Sequence, residues 1–136
     1  MTAIVGVGES YDNMTQQRNT HVAGLIAGED LGALVPVYIN SSGVIVESVG
    51  TVLATALCHG ITAKAALSGE PVTLLHPGQV FTLDSAGGLT PGAPLFMGAA
   101  GVWEDAATSN DISGTAFAVS TTTACFAGFR LVGEGI

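Results

Sequence analysis

Short runs of apolar and β-branched residues recur along most of this chain, and glycines and prolines separate them. Apolar and polar positions alternate clearly in residues 80–84 and 116–120, which is typical of strands. Almost no window long enough for an average helix lacks one of the 19 glycines, and each interior glycine costs a helix about 1 kcal/mol relative to alanine. The pattern therefore predicts strands near residues 35–39, 44–48, 51–58, 72–75, 80–83, 95–97, 101–103, 115–120 and 124–131.

Turn-forming residues lie between these predicted strands. Asn40-Ser-Ser-Gly43 joins two strand-like runs in the manner of a hairpin loop, and Thr90-Pro-Gly-Ala93 matches a type II turn. One short helix is predicted near residues 62–67, with Ser68-Gly69 ending it. Because strand-like segments recur about every 8–12 residues, we predict a mainly β fold: a compact β-barrel-like or β-sandwich domain with an extended N-terminal arm.

The first 22 residues differ from the rest of the chain. Residues 9–20 are polar and lack an apolar period, so they are too polar to share the core. Two interpretations stay open: a mobile terminus, or an arm that becomes ordered on a partner. We therefore divide the chain into an arm, residues 1–22, and a body, residues 23–136.

Composition and charge exclude several classes of protein. Hydrophobic residues make up 48% of the chain and charged residues only 10%, which supplies enough apolar material for a core. Three basic residues stand against 11 acidic ones, so we expect no binding to nucleic acid or to an anionic membrane surface. No uninterrupted apolar run reaches the length of a transmembrane helix, and no signal-peptide pattern opens the sequence.

The chain contains few residues that could perform chemistry. Cys58 and His59 are adjacent, but neighbours on a strand point to opposite faces, and no zinc-ligand spacing surrounds them. Both cysteines, Cys58 and Cys125, are expected to be buried thiols. The pairs Glu29-Asp30 and Glu104-Asp105 are expected to form solvated turns. We therefore predict no catalytic residue, no metal, no cofactor and no small-molecule substrate.

Two further features have structural interpretations. Lys64 stands between alanines, but the predicted helix there argues against a lipoyl- or biotin-carrier lysine and favours a solvated side chain. Phe96 and Trp103 are expected to fill the core or a subunit contact, because stacking platforms for nucleic acid come with basic residues.

Three segments of the body resemble a known family. They are A-x-x-G-E-P-V at residues 66–72, L-x-P-G-x-x-L-F at 89–96 and G-x-A-x-A-V at 114–119. Together with the order of the segments between them, they make the chain similar to the small capsid decoration (cement) proteins of tailed phages. The resemblance covers about 110 of the 136 residues, from His21 onward, and includes no catalytic signature.

The resemblance implies a structural protein of the virion. Such a protein binds the outer surface of the capsid as a homotrimer, with the major capsid protein as partner, and stabilises joints between its subunits. Two alternatives remain: a tail or fibre component, and a small β carrier or enzyme domain in which Cys58, His59 and Lys64 would be examined first. For capsid contacts we favour the arm, because it is not committed to a core; its candidate residues are Tyr11, Met14, Gln16, Gln17 and Arg18.

Overall fold

Antiparallel strands dominate the computed structural model, which describes residues 25–83 and 88–133. Within these ranges the strands are short, as the frequent glycines and prolines require. In chain order they are β1 (Pro36–Ile39), β2 (Ile45–Glu47), β3 (Gly60–Thr62), β4 (Leu74–Leu75), β5 (Val80–Thr82), β6 (Pro94–Met97), β7 (Trp103–Glu104), β8 (Ala116–Ala118) and β9 (Thr123–Phe126). A single 3-10 turn, Leu53–Thr55, is the helical element of the described residues.

The first sheet has the order β2-β1-β3-β4, with every pair antiparallel. The hairpin between β1 and β2 confirms the predicted loop at residues 40–43. Gly43 adopts a φ of 82°, and the Asn40 side chain accepts a hydrogen bond from the Ser42 N–H at 2.9 Å. Glycine tolerates this left-handed conformation, and the asparagine side chain accepts a hydrogen bond from the backbone of its own turn. Both residues therefore stabilise the hairpin locally.

The second sheet has the order β5-β9-β8-β6-β7 and is also antiparallel throughout. The predicted type II turn leads into β6: Gly92 has a φ of 83°, and the Ala93 N–H donates to the Thr90 carbonyl at 3.0 Å. Proline second and glycine third are what this turn type demands.

The two sheets pack face to face around a shared apolar core. Cys58 and Ile61 from the first-sheet side meet Phe81, Met97 and Phe126 of the second sheet, all nearly or fully buried. A second core covers the opposite side of the first sheet and is formed by Ala27, Leu31, Val35, Val37, Ile45, Ala66, Val72 and Leu74. The mainly β prediction is confirmed, and of its two versions the sandwich is the one observed, since the sheets do not close into a barrel.

Two predictions about local structure were wrong, and both concern residues 51–67. Residues 51–58 form a turn and the 3-10 helix instead of a strand, and Val52 and Leu53 remain about half exposed. The predicted helix at 62–67 is absent, because Thr62 belongs to the buried strand β3 and Ala66 forms a β-bridge with Leu31. Tertiary pairing overrides helix propensity here.

The other predicted strands each overlap an observed one, although the last extends too far. Residues 127–131 leave the second sheet, and Arg130 forms a two-way backbone bridge with Cys58 instead. The predicted arm, residues 1–22, lies outside the described residues.

Candidate functional site

Cys58 and His59 are used structurally. The Cys58 side chain is completely buried, and its Sγ–H donates to the Gly60 carbonyl at 3.3 Å. Burial raises the pKa of this thiol to about 12, so it holds its proton and is a poor nucleophile. His59 is half-buried; its Nδ1 accepts the Ile39 N–H at 2.9 Å, and burial lowers its pKa below 6.5. The two side chains differ in burial, as their alternation along the chain predicts.

Cys125 corrects the prediction of two buried thiols. Its side chain is only half-buried and lies on the face of β9 that points away from the core. The reason is strand alternation: Ala124 and Phe126 take the two inward positions of β9, and both are fully buried.

Lys64 and the acidic pairs lie at the surface. Lys64 is exposed in a bend that follows β3. Glu29, Asp30, Glu104 and Asp105 are exposed, as predicted, although Glu104 belongs to strand β7 and not to a turn. Across the described ranges, no three His, Cys, Asp or Glu side chains lie close enough together to hold a metal ion.

The buried carboxylate of Asp111 is a feature that the sequence pattern did not predict. Its oxygens accept the Met97 N–H at 2.7 Å, the Thr115 hydroxyl at 2.9 Å and the Gly114 N–H at 3.0 Å. Arg130 completes the group with an ion pair of 2.7 Å. The arrangement fastens the chain after β9 to the loop before β8, which is a structural task.

The candidate capsid-binding residues Tyr11, Met14, Gln16, Gln17 and Arg18 lie outside the described residues. The interaction surfaces that the described residues form therefore belong to the body.

One surface of the second sheet is apolar across four strands. The register places Val80 beside Cys125, Cys125 beside Phe117 and Phe117 beside Pro94, so that these four residues form a row from β5 to β6. We name the surface around this row the outer face. It consists of Val80, Thr82, Pro94, Phe117, Val119, Thr123 and Cys125.

The outer face presents large apolar side chains to solvent. Phe117 is 41% exposed and Val119 is 49% exposed, whereas their neighbours Ala116 and Ala118 face the core. None of the seven side chains is charged. The alternation in residues 116–120 was visible in the sequence, but the direction was not, since the larger residues would normally be assigned to the core.

A groove of about 550 Å³, lined by polar and apolar surface in similar amounts, opens between the residues before β1 and the second sheet. Trp103 forms part of its wall; the indole N–H donates to the Leu34 carbonyl at 2.9 Å, and its ring packs 5.9 Å from Phe81. Trp103 is half-buried and Phe96 is buried, which agrees with the core or subunit-contact prediction. The groove wall includes the apolar residues Ala33, Leu34, Leu83, Leu89, Val102 and Trp103 and the polar residues Thr90, Glu104 and Asp105.

The chain after β9 presents a second apolar surface, which we name the C-terminal segment, residues 127–133. Phe129, Leu131 and Val132 are 57%, 71% and 72% exposed, respectively. These three side chains lie within four residues of one another, and a cluster of exposed apolar side chains is typical of an interaction surface.

No helix within residues 25–83 or 88–133 is long and apolar enough to span a membrane. Comparison of the chain with protein-family models, with curated proteins and with solved structures finds no match.

Proposed function

We propose that this protein is a structural component of a tailed-phage virion that binds the outer surface of the capsid as a trimer and stabilises joints between major capsid protein subunits. The observation that carries the proposal is the outer face, in which uncharged side chains from four strands of one sheet lie beside one another as cross-strand neighbours. The segment resemblance at residues 66–72, 89–96 and 114–119 supplies the class of partner.

The physical chemistry of the outer face suits a binding role. Burying apolar surface contributes about 25 cal/mol per Å², and no charged group in this face has to be desolvated without a partner. Because the strands are cross-paired, the side chains are already arranged before binding, which reduces the entropic cost of association. A trimer that binds through three such faces at once binds more tightly than one copy does, so a modest binding free energy per copy is enough.

The side chains that could take part in catalysis have structural roles, which favours an interaction role over an enzymatic one. Cys58 and His59 each engage the backbone of the first sheet, and Asp111 binds four groups of the second sheet and its connections. An enzyme of this size would need a pocket in which several polar groups converge; the carboxylates that line the groove, Glu104 and Asp105, are instead exposed to solvent.

Co-sedimentation with mature, expanded capsids stripped of small proteins tests this proposal. We expect saturation near one copy per major capsid subunit. Phe117→Asp places a charge in the middle of the row and is expected to weaken binding at least about 10-fold. The control is Leu67→Asp, which changes a more exposed apolar residue (61% against 41% for Phe117) in the loop between β3 and β4 and is expected to bind normally.

The outcomes separate the proposal from its alternatives. Absence of binding to shells by a folded wild-type chain would overturn it; binding to purified tails would then favour the tail or fibre alternative. Equal binding by Phe117→Asp and wild type would remove the outer face from the contact. A carrier domain would show a covalent mass increment at Lys64 after expression in its host, and we expect the unmodified mass.

A further inference from the structure

We propose that the groove receives an arginine side chain of the major capsid protein. The aliphatic stem of this arginine lies along the apolar wall, and its guanidinium meets the indole of Trp103 and the carboxylate of Asp105. The inference rests on the proposed function and deepens it, because it names the chemistry of the partner at a second contact. The groove shares Pro94 with the outer face, so one partner reaches both surfaces.

The groove combines an apolar wall with a polar rim. Leu34, Leu83 and Leu89 are half-buried and pack against the core between the two sheets. Thr90 and Asp105 also line the groove but are exposed to solvent. An arginine side chain has the same division, because its apolar stem carries a charged head that stays hydrated. The volume of about 550 Å³ lies in the range of roughly 300–1,000 Å³ that binding pockets occupy.

The charge of the groove determines the sign of its occupant. Glu104 and Asp105 both belong to the lining, whereas no Lys, Arg or His does so among the residues that the structure describes. Within the same ranges the ion pair joins Arg130 to Asp111, and neither groove carboxylate forms one. A negatively charged groove without a cation of its own favours a cationic partner and repels an acidic one.

The two carboxylates have different surroundings. The Glu104 side chain extends over Gly98, where a Cβ would clash with it, and Gly98 does not line the groove. We therefore assign the guanidinium contact to Asp105. Glu104 adds negative charge at the rim and contributes less to binding.

The indole selects arginine among the cations. Trp103 is held by its hydrogen bond to the Leu34 carbonyl at 2.9 Å, and its half-buried ring lines the groove. A planar guanidinium stacks on an aromatic ring while its edge donates two hydrogen bonds to a carboxylate, and an ammonium group lacks this geometry. A bound metal ion would need a larger set of ligands than the described part of the groove offers.

Trp103 also supplies the measurement, because it is the one tryptophan of the chain and its fluorescence reports on the groove. The probe is the peptide acetyl-Gly-Arg-Gly-amide. Its control contains citrulline in place of arginine, which has nearly the same shape and no charge. We expect a saturable change in emission at millimolar arginine peptide, and binding of the citrulline peptide at least about fivefold weaker at equal ionic strength.

Variants test the assigned carboxylate. Asp105→Asn is expected to weaken binding of the arginine peptide about threefold, and Glu104→Gln is expected to weaken it less. The matched control is Glu70→Gln, which removes one negative charge from an exposed turn outside the groove and is expected to bind like wild type. In co-sedimentation, Asp105→Asn is expected to bind shells more weakly than Glu70→Gln does. Circular dichroism verifies the fold of each variant.

The outcomes separate this inference from the proposed function. Equal affinity for the two peptides, or equal peptide affinity of Asp105→Asn and wild type, would overturn the groove as an arginine site. Equal shell binding by Asp105→Asn and wild type would overturn the shell as the source of the arginine. Tighter peptide binding after deletion of residues 1–20 would do the same, because Arg18 of the chain itself would then occupy the groove. Selective peptide binding by a chain that binds no shell would overturn the proposed function alone.

Discussion

At the scale of single residues, the buried carboxylate of Asp111 connects three parts of the molecule. Its carboxylate joins the end of β6, the start of β8 and the C-terminal segment through three hydrogen bonds and one ion pair. Asp111→Asn keeps the shape but removes the negative charge that pairs with the Arg130 guanidinium, whose side chain is 11% exposed. Removing one partner of a buried pair costs about 3–5 kcal/mol, and we expect a loss of this size in the free energy of urea unfolding.

A double-mutant cycle separates the pair from its surroundings. Arg130→Met in the Asp111→Asn background removes the second buried charge, so the double variant is expected to be less destabilised than the sum of the two single variants. Strict additivity would contradict an ion pair that contributes to stability.

His59 gives the stability a dependence on pH. Burial lowers its folded pKa below the value of 6.5 expected for an unfolded chain, and its Nδ1 must be unprotonated to accept the Ile39 N–H. The unfolded state therefore binds more protons between the two pKa values, so stability is complete above about pH 6.5 and decreases as the pH falls through that window.

The variant His59→Asn isolates this contribution, because an amide oxygen can replace Nδ1 as acceptor and does not titrate. Urea unfolding measured from pH 7.5 down to pH 5 is expected to show a smaller decrease for His59→Asn than for wild type. Parallel curves for the two proteins would mean that His59 has the same pKa folded and unfolded.

At the scale of elements, the two sheets are joined at Gly50. Its N–H donates to the Gly98 carbonyl at 2.8 Å, and its own carbonyl accepts the Asn110 N–H at 2.8 Å. A Cβ at this position would clash with the Met97 carbonyl oxygen, which is a backbone atom at the end of β6. The joint therefore requires glycine for close approach, independently of backbone conformation.

Gly50→Ala is expected to destabilise the protein by about 3 kcal/mol, because the two sheets have to separate locally to admit the methyl group. Gly128→Ala is the matched control, since a Cβ there would meet no atom within 4 Å beyond its chain neighbours and its φ is not left-handed. That change is expected to be neutral or slightly stabilising. Thermal unfolding of both variants measures the difference, and equal melting temperatures would contradict the close approach.

The elements also show how far the sequence alone predicts the fold. Turns at Gly43 and Gly92 were predictable, because their chemistry is local. Strand β3 was missed because its first residue is Gly60, whose lack of a side chain accommodates Leu74 on the neighbouring strand. Such a requirement is visible only after the strands have been paired.

The candidate surfaces were less predictable than the strands. Periodicity shows that Phe117 and Ala118 face opposite sides of a sheet, but the packing decides that the alanine faces the core. The groove combines residues that are distant in the sequence, and the C-terminal segment begins inside a stretch that was predicted as a strand. No local pattern therefore indicates either surface. Asp111 was also hidden, since its partner Arg130 is 19 residues away along the chain.

At the scale of the whole molecule, the N-terminal residues and the body are expected to have separate tasks. Deletion of residues 1–20, which include the five proposed capsid contacts, is expected to weaken co-sedimentation with capsids. Within the described residues the two cores form from Leu25 onward, and circular dichroism and the melting temperature are expected to stay unchanged. Binding as tight as that of the full chain would contradict a contact through the arm.

The burial of Cys58 gives the folded chain a single accessible sulfhydryl. With the pKa of Cys58 raised to about 12 and no exposed surface, a maleimide dye will react at Cys125 alone while the sheets are packed. The first dye then reports directly on the outer face, and a second dye is incorporated only when the sheets separate. The rate at which mass spectrometry finds a second dye on the chain therefore measures the rate of global unfolding. Slower reaction of the first dye on an assembled particle would show that the shell covers the outer face.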